Sequence, residues 1–142
     1  MPGIKELIRS EKDGTLSFGD YTLDEKNKLQ DFSHEGDLYK VKTFKELTKL
    51  ERNGMFVFES EPGTAVRNFR VTNEGASFSV TGKEYAEITL GMEEDTEYGI
   101  FIDDVSVGNI RTNMSGKLTF STELDGRKSV KVRIIRMQAD HA

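Results

Sequence analysis

The 142-residue chain has no cysteine, no tryptophan, two histidines and two prolines, and no run of about eighteen apolar residues. Without cysteine there are no disulfides, no thiolate chemistry, no iron–sulfur cluster and no cysteine-ligated zinc. That composition fits the cytosol. The start, Met1-Pro2-Gly3-Ile4-Lys5-Glu6-Leu7-Ile8-Arg9, lacks the apolar stretch of a secretory signal, so a cytoplasmic protein with no membrane segment is expected. A net charge of −5 disfavours a phosphate backbone as ligand, and nucleic acid is not an expected partner. His34 lies in a polar stretch and His141 in the tail, too far apart in sequence character to suggest a shared metal or catalytic centre.

A chain of 16.0 kDa is long enough for one ordinary core, burying roughly 70% of the surface its unfolded form exposes. Hydrophobic residues make up 35% and charged residues 32%, but the apolar ones fall in short alternating clusters, the mark of half-buried strands. Phe69 and Val71, then Ala76, Phe78 and Val80, then Ala86, Ile88 and Leu90 alternate with polar neighbours. Tyr98, Ile100 and Ile102, Val105 and Val107, Leu118 and Phe120, and Val130, Val132 and Ile134 continue the pattern. The expected class is all-β: a small immunoglobulin/fibronectin-III-like β-sandwich over residues 62–142, preceded by a hairpin and loop region over 1–61. Asp103-Asp104 reads as the tip of a hairpin, and Gln138 to Ala142 as a frayed tail.

The N-terminal third is less regular. Ile4, Leu7 and Ile8 have the spacing of one helical face, which predicts a short helix that must dock to be stable. Gly19-Asp20 reads as a hairpin turn between Leu16 and Phe18 on one arm and Tyr21 and Leu23 on the other. Asp24 to Asp37 reads as loop. Residues 43–53 admit two readings: a helix opened by the capping box Thr43-Phe44-Lys45-Glu46, or a hairpin turning at Asn53-Gly54, which the β-prone Met55-Phe56-Val57-Phe58 favours.

Chemistry-bearing patterns are few. Glu93-Glu94 and Asp103-Asp104 lack a calcium-loop frame and read as turn carboxylates; no serine sits in a nucleophile elbow, and no phosphate loop occurs. Neither an enzyme centre nor a cofactor is expected. Lys131 and Arg133, outward on the basic last strand Arg127 to Arg136, read as charges guarding a sheet edge, with an anion-binding stripe as the other reading. With Val57 inward, strict alternation turns Phe56 and Phe58 outward, and Phe101 likewise against Ile100 and Ile102. Such outer aromatics need a cover.

Gly91-Met92-Glu93-Glu94-Asp95-Thr96-Glu97-Tyr98-Gly99-Ile100 resembles the fibronectin type III segment Gly-Leu-x-Pro-x-Thr-x-Tyr-x-Val. Gly91, Thr96 and Tyr98 match, while Glu94 replaces the proline. The resemblance implies a turn into an inner strand, with the Tyr98 ring in the core and its hydroxyl tied to backbone. Met55 to Leu124, especially Phe58-Glu59-Ser60-Glu61-Pro62-Gly63-Thr64-Ala65-Val66 and Thr112-Asn113-Met114-Ser115-Gly116-Lys117-Leu118, is similar to short, largely uncharacterised proteins of anaerobic gut bacteria that sometimes carry an endosialidase label. A sialidase needs clustered arginines and a Tyr nucleophile, whereas Arg67, Arg70, Arg111, Arg127 and Arg133 are dispersed.

These observations favour a non-enzymatic structural or interaction protein that forms homo-oligomers through Ile4, Leu7, Ile8, Phe56, Phe58 and Phe101. A carbohydrate-binding module resting on Tyr21, Tyr39 and Tyr85 is the alternative, and a glycosidase the third reading.

Overall fold

In the computed structural model, which describes residues 3–137, thirteen strands form two antiparallel sheets around one core. They are β1 Ile8–Ser10, β2 Leu16–Phe18, β3 Asn27–His34, β4 Asp37–Phe44, β5 Leu47–Arg52, β6 Met55–Glu61 and β7 Thr64–Thr72. The rest are β8 Gly75–Gly82, β9 Ala86–Gly91, β10 Glu97–Ile102, β11 Val105–Arg111, β12 Lys117–Thr122 and β13 Val130–Arg136. One sheet runs β1-β2-β7-β8-β13-β10-β11 and the other β12-β9-β6-β5-β4-β3. The all-β sandwich expected from the alternation is present. Strands on either side of residues 61 and 62 share both sheets and the core, because β2 pairs β7 and β6 pairs β9.

The N-terminal helix is not formed. Six residues close too few helical hydrogen bonds to offset nucleation, and strand pairing offers more. Ile4 N–H donates to Gly19 O, Gly19 N–H donates to Leu7 O, and Leu7 turns through φ 72°, which lays β1 against β2. The hairpin expected to turn at Gly19-Asp20 is also absent. Asp20 N–H donates to Thr43 Oγ1 at 2.8 Å and its carboxylate accepts from Thr22, so the chain crosses to the other sheet instead of doubling back. Nor is 24–37 a loop: β3 pairs β4 along its length. As an edge strand, β3 leaves most of its residues exposed and packs only Leu29 and Phe32 partway into the core, which explains its polar sequence.

Residues 47–61 form a hairpin, not a helix. Asn53 and Gly54 take φ 51° and 79°, the left-handed pair that a two-residue turn with the native strand twist requires. Asp103 and Asp104 (φ 49° and 68°) turn β10 into β11 in the same way.

The centre of the core is aromatic. Phe58 of β6 meets Phe18, Phe69 and Phe78 of the facing sheet edge-on, at centroid distances of 5.2, 6.0 and 5.8 Å. Edge-to-face contacts place positive ring edges on negative ring faces and add to the burial energy. Phe58 is therefore inward, against the alternation argument. The β6–β5 pairing slips between Leu50 and Glu51, leaving Val57 as an extra residue; Phe56 then opposes Glu51 and Phe58 opposes the buried Leu50. A bulge reverses the facing that period-two counting assigns.

Candidate functional site

Ile4, Ile8 and Phe58 are core residues at 1%, 2% and 0% exposure, and Leu7 packs against the core, so none of the four offers a free surface. Phe56 and Phe101 do lie on the outer faces, half-buried. Each is covered from within the chain: Lys117 Nζ stands 4.8 Å from the Phe56 ring centre and the Arg133 guanidinium 5.3 Å from that of Phe101. A cation over a ring face is held by the ring's quadrupole while its stem shields the carbon surface.

Lys131 and Arg133 do not guard an edge, because β13 is an interior strand between β8 and β10. Lys131 pairs with Asp104 at 3.1 Å, and Arg133 lies over Phe101. The exposed margin of that sheet is β11. Val105 and Val107 are 64% and 59% exposed, although alternation suggested core positions. Full burial ends at β10, whose Tyr98 and Ile100 are covered, while of β11 only Ile110 packs partway against the core and the rest lies exposed. Its outer edge carries the backbone row of a strand paired on one side only.

The Gly91–Tyr98 turn is tightly tied. Tyr98 is buried and its hydroxyl accepts from Glu93 N–H at 3.1 Å; Thr112 Oγ1 accepts from Thr96 N–H and donates to Glu93 O. A Cβ on Gly91 would stand 2.6 Å from Phe56 O, so glycine is what lets β9 approach the β6 bulge.

That turn belongs to the end of the sandwich where the β3–β4, β5–β6, β7–β8, β9–β10 and β11–β12 connections gather. A cleft of about 540 Å³ opens there between the sheets, floored by Val57, Val71 and Met92 beside Tyr98. Arg52, Lys117 and Arg136 line it, with Glu93 as the one lining carboxylate. A smaller adjoining hollow of about 230 Å³ continues it past Arg52 toward Tyr39 and His34. His34 is locked in place: Nε2 lies 3.1 Å from Gly14 O, which can only accept, so in the neutral ring Nδ1 takes the Ser10 hydroxyl proton at 2.7 Å. It is a structural tie. His141 lies outside the described residues.

The dispersed arginines stay dispersed. Arg70 donates to Asp13 O, Arg111 pairs with Asp95, Arg127 with Asp125, and Arg67 reaches Gly3 O and Thr81. Tyr39 is at the cleft end, whereas Tyr21 and Tyr85 belong to the connections at the opposite end, so no shared tyrosine platform exists. Among the described residues no group of three or more His, Cys, Asp or Glu is placed to hold a metal ion, and no helix is long and apolar enough to cross a membrane. The chain matches no protein-family model, no curated protein and no solved structure.

Sequence reasoning did not single out Arg52, Lys117 and Arg136. Each stands at a strand end, far from the others along the chain, and only the sheet pairing brings them to one opening.

Proposed function

We propose that this chain is a non-enzymatic interaction protein that self-associates through β11, the second copy adding its own β11 antiparallel across the free edge. The observation that carries this reading is an exposed seven-residue edge strand, Val105–Arg111, with solvent-facing valines and charge only at its terminal Arg111. Such an edge is a template for strand addition, since its unpaired N–H and C=O groups gain partners on pairing. An antiparallel pair centred on Gly108 sets Arg111 of each copy opposite Val105 of the other. Because the same strand supplies both sides, the contact closes on itself as a two-fold, which favours a second copy over an unrelated strand. The outer aromatics play no part in this contact, being covered by Lys117 and Arg133. We also read the Gly91–Ile100 segment as fibronectin type III-like, supported by the buried Tyr98 ring and its hydroxyl bond to Glu93.

Light scattering on a gel-filtration column tests the contact. At about 50 micromolar the full chain is expected at twice 16.0 kDa with a melting temperature that rises with protein concentration, and Val107→Lys at the monomer mass with a concentration-independent melting temperature. A monomeric wild type, or a Val107→Lys variant that remains a dimer, overturns the proposal.

A further inference from the structure

We propose that the cleft at the turn-rich end of the sandwich binds a small organic anion, its carboxylate or phosphate held by Arg52 and Arg136 and its body laid on Val57, Val71 and Met92. This is independent of the β11 contact.

The first support is the local charge. The chain holds 25 acidic against 20 basic residues, so an arbitrary opening on its surface should carry at least as many carboxylates as cations. This one is lined by two arginines and a lysine against Glu93 alone. Among the described residues neither Arg52 nor Arg136 has an ion-pair partner, although Arg111 and Arg127 each have one and Arg9 has two. Charges of one sign converging on a concave, low-dielectric wall focus the field and raise the local concentration of counter-ions. Guanidinium groups also match carboxylate and phosphate geometry with paired donors.

The second support is the floor. The Val57 bulge and the divergence of β6 from β7 leave Val57, Val71 and Met92 only partly buried at the bottom of the opening. A volume of about 540 Å³ falls within the range of small-molecule sites. An inorganic ion would touch the rim and leave this floor wet, whereas a ligand with an apolar or ring-shaped body fills both.

The test uses the full chain and three probes at low ionic strength: phenyl phosphate, benzoate and inorganic phosphate, followed by amide chemical shifts and by calorimetry. Saturable binding of phenyl phosphate or benzoate is expected, with shifts centred on the amides of Arg52, Gly91 and Lys117. The tighter of the two organic probes identifies the head group. The double variant Arg52→Gln/Arg136→Gln is expected to lose about tenfold in affinity and to melt as the wild type does, both residues being exposed. Arg133→Gln, on the outer face, should bind normally. Three outcomes each overturn the proposal: no saturation by either organic probe below about 10 mM, undiminished binding in the double variant, or inorganic phosphate binding as tightly as phenyl phosphate.

Discussion

Thr48 and Thr64 stand in opposite sheets and exchange two hydrogen bonds: the Thr48 hydroxyl donates to Thr64 O at 2.8 Å and accepts from Thr64 N–H at 3.0 Å. Since the single Thr48 proton is committed to Thr64 O, the neighbouring Thr43 hydroxyl, 2.8 Å away, must donate to Thr48 and accept from Asp20 N–H. One fully buried chain of hydroxyls thus joins the β2–β3 crossover, β4, β5 and β7. No buried side-chain polar atom among the described residues is left without a partner. Thr48→Val keeps the shape but orphans the Thr64 backbone groups, and is expected to cost about 1–3 kcal/mol in denaturant unfolding, whereas Thr48→Ser, which restores the hydroxyl, recovers most of that loss.

Phe58 is the one aromatic ring that the β6 sheet contributes to the central cluster, and it touches three rings of the facing sheet. Phe58→Ala should lower stability by about 3–5 kcal/mol, from lost burial plus the cavity left among Phe18, Phe69 and Phe78. Phe56→Ala, which removes a half-buried outer ring, should cost clearly less. Equal losses in the two variants would mean that Val57, not Phe58, faces the core.

The Ser17 hydroxyl donates to Glu11 Oε2 at 2.5 Å and Arg9 adds two further bonds, which together hold the Glu11 carboxyl below its ordinary range. A depressed folded value stabilises the fold above the unfolded value, about pH 4.3, and that contribution fades as pH falls through the folded value. Glu11→Gln should therefore cost about 1–2 kcal/mol at neutral pH, and its deficit should shrink in acid. A deficit that is the same at pH 7 and at about pH 3 would show that the carboxylate charge contributes nothing.

The strands from Phe69 to Ile102 were legible because each puts one face on the core and one in water, so their apolar residues alternate. The Asn53-Gly54 turn was legible from its chemistry alone. What failed was non-local. Ile4, Leu7 and Ile8 satisfy a helical spacing, but the partner that decides against it is Leu16–Phe18, together with the Gly19 bonds. Strict alternation turns Phe58 outward, since the Val57 bulge is set by the register against β5 and leaves no mark in the local pattern. Val105 and Val107 alternate like core residues, yet their exposure depends on how far the opposite sheet extends. The cleft cations were invisible for the same reason: Arg52, Lys117 and Arg136 belong to three different strands that pairing alone brings to one end.

The strand order also dictates when each part of the molecule can become ordered. The β3 to β6 meander is built wholly from neighbouring strands, so it can zip up hairpin by hairpin while the rest of the chain is still loose. β2 and β8 each have one neighbouring partner, β1 and β7, but their other sides close only at long range, since Leu16 must find Phe69 and Val80 must find Val130, closures of about fifty residues each. A nascent chain emerging from its N-terminus therefore carries Ile8, Leu16 and Phe18 uncovered until β7 has been made, and the last-made strand, β13, is the one that joins β8 to β10 and closes the larger sheet. Those two closures, the longest among the strand pairs, contribute most to the non-local pairing that makes sandwiches slow to fold.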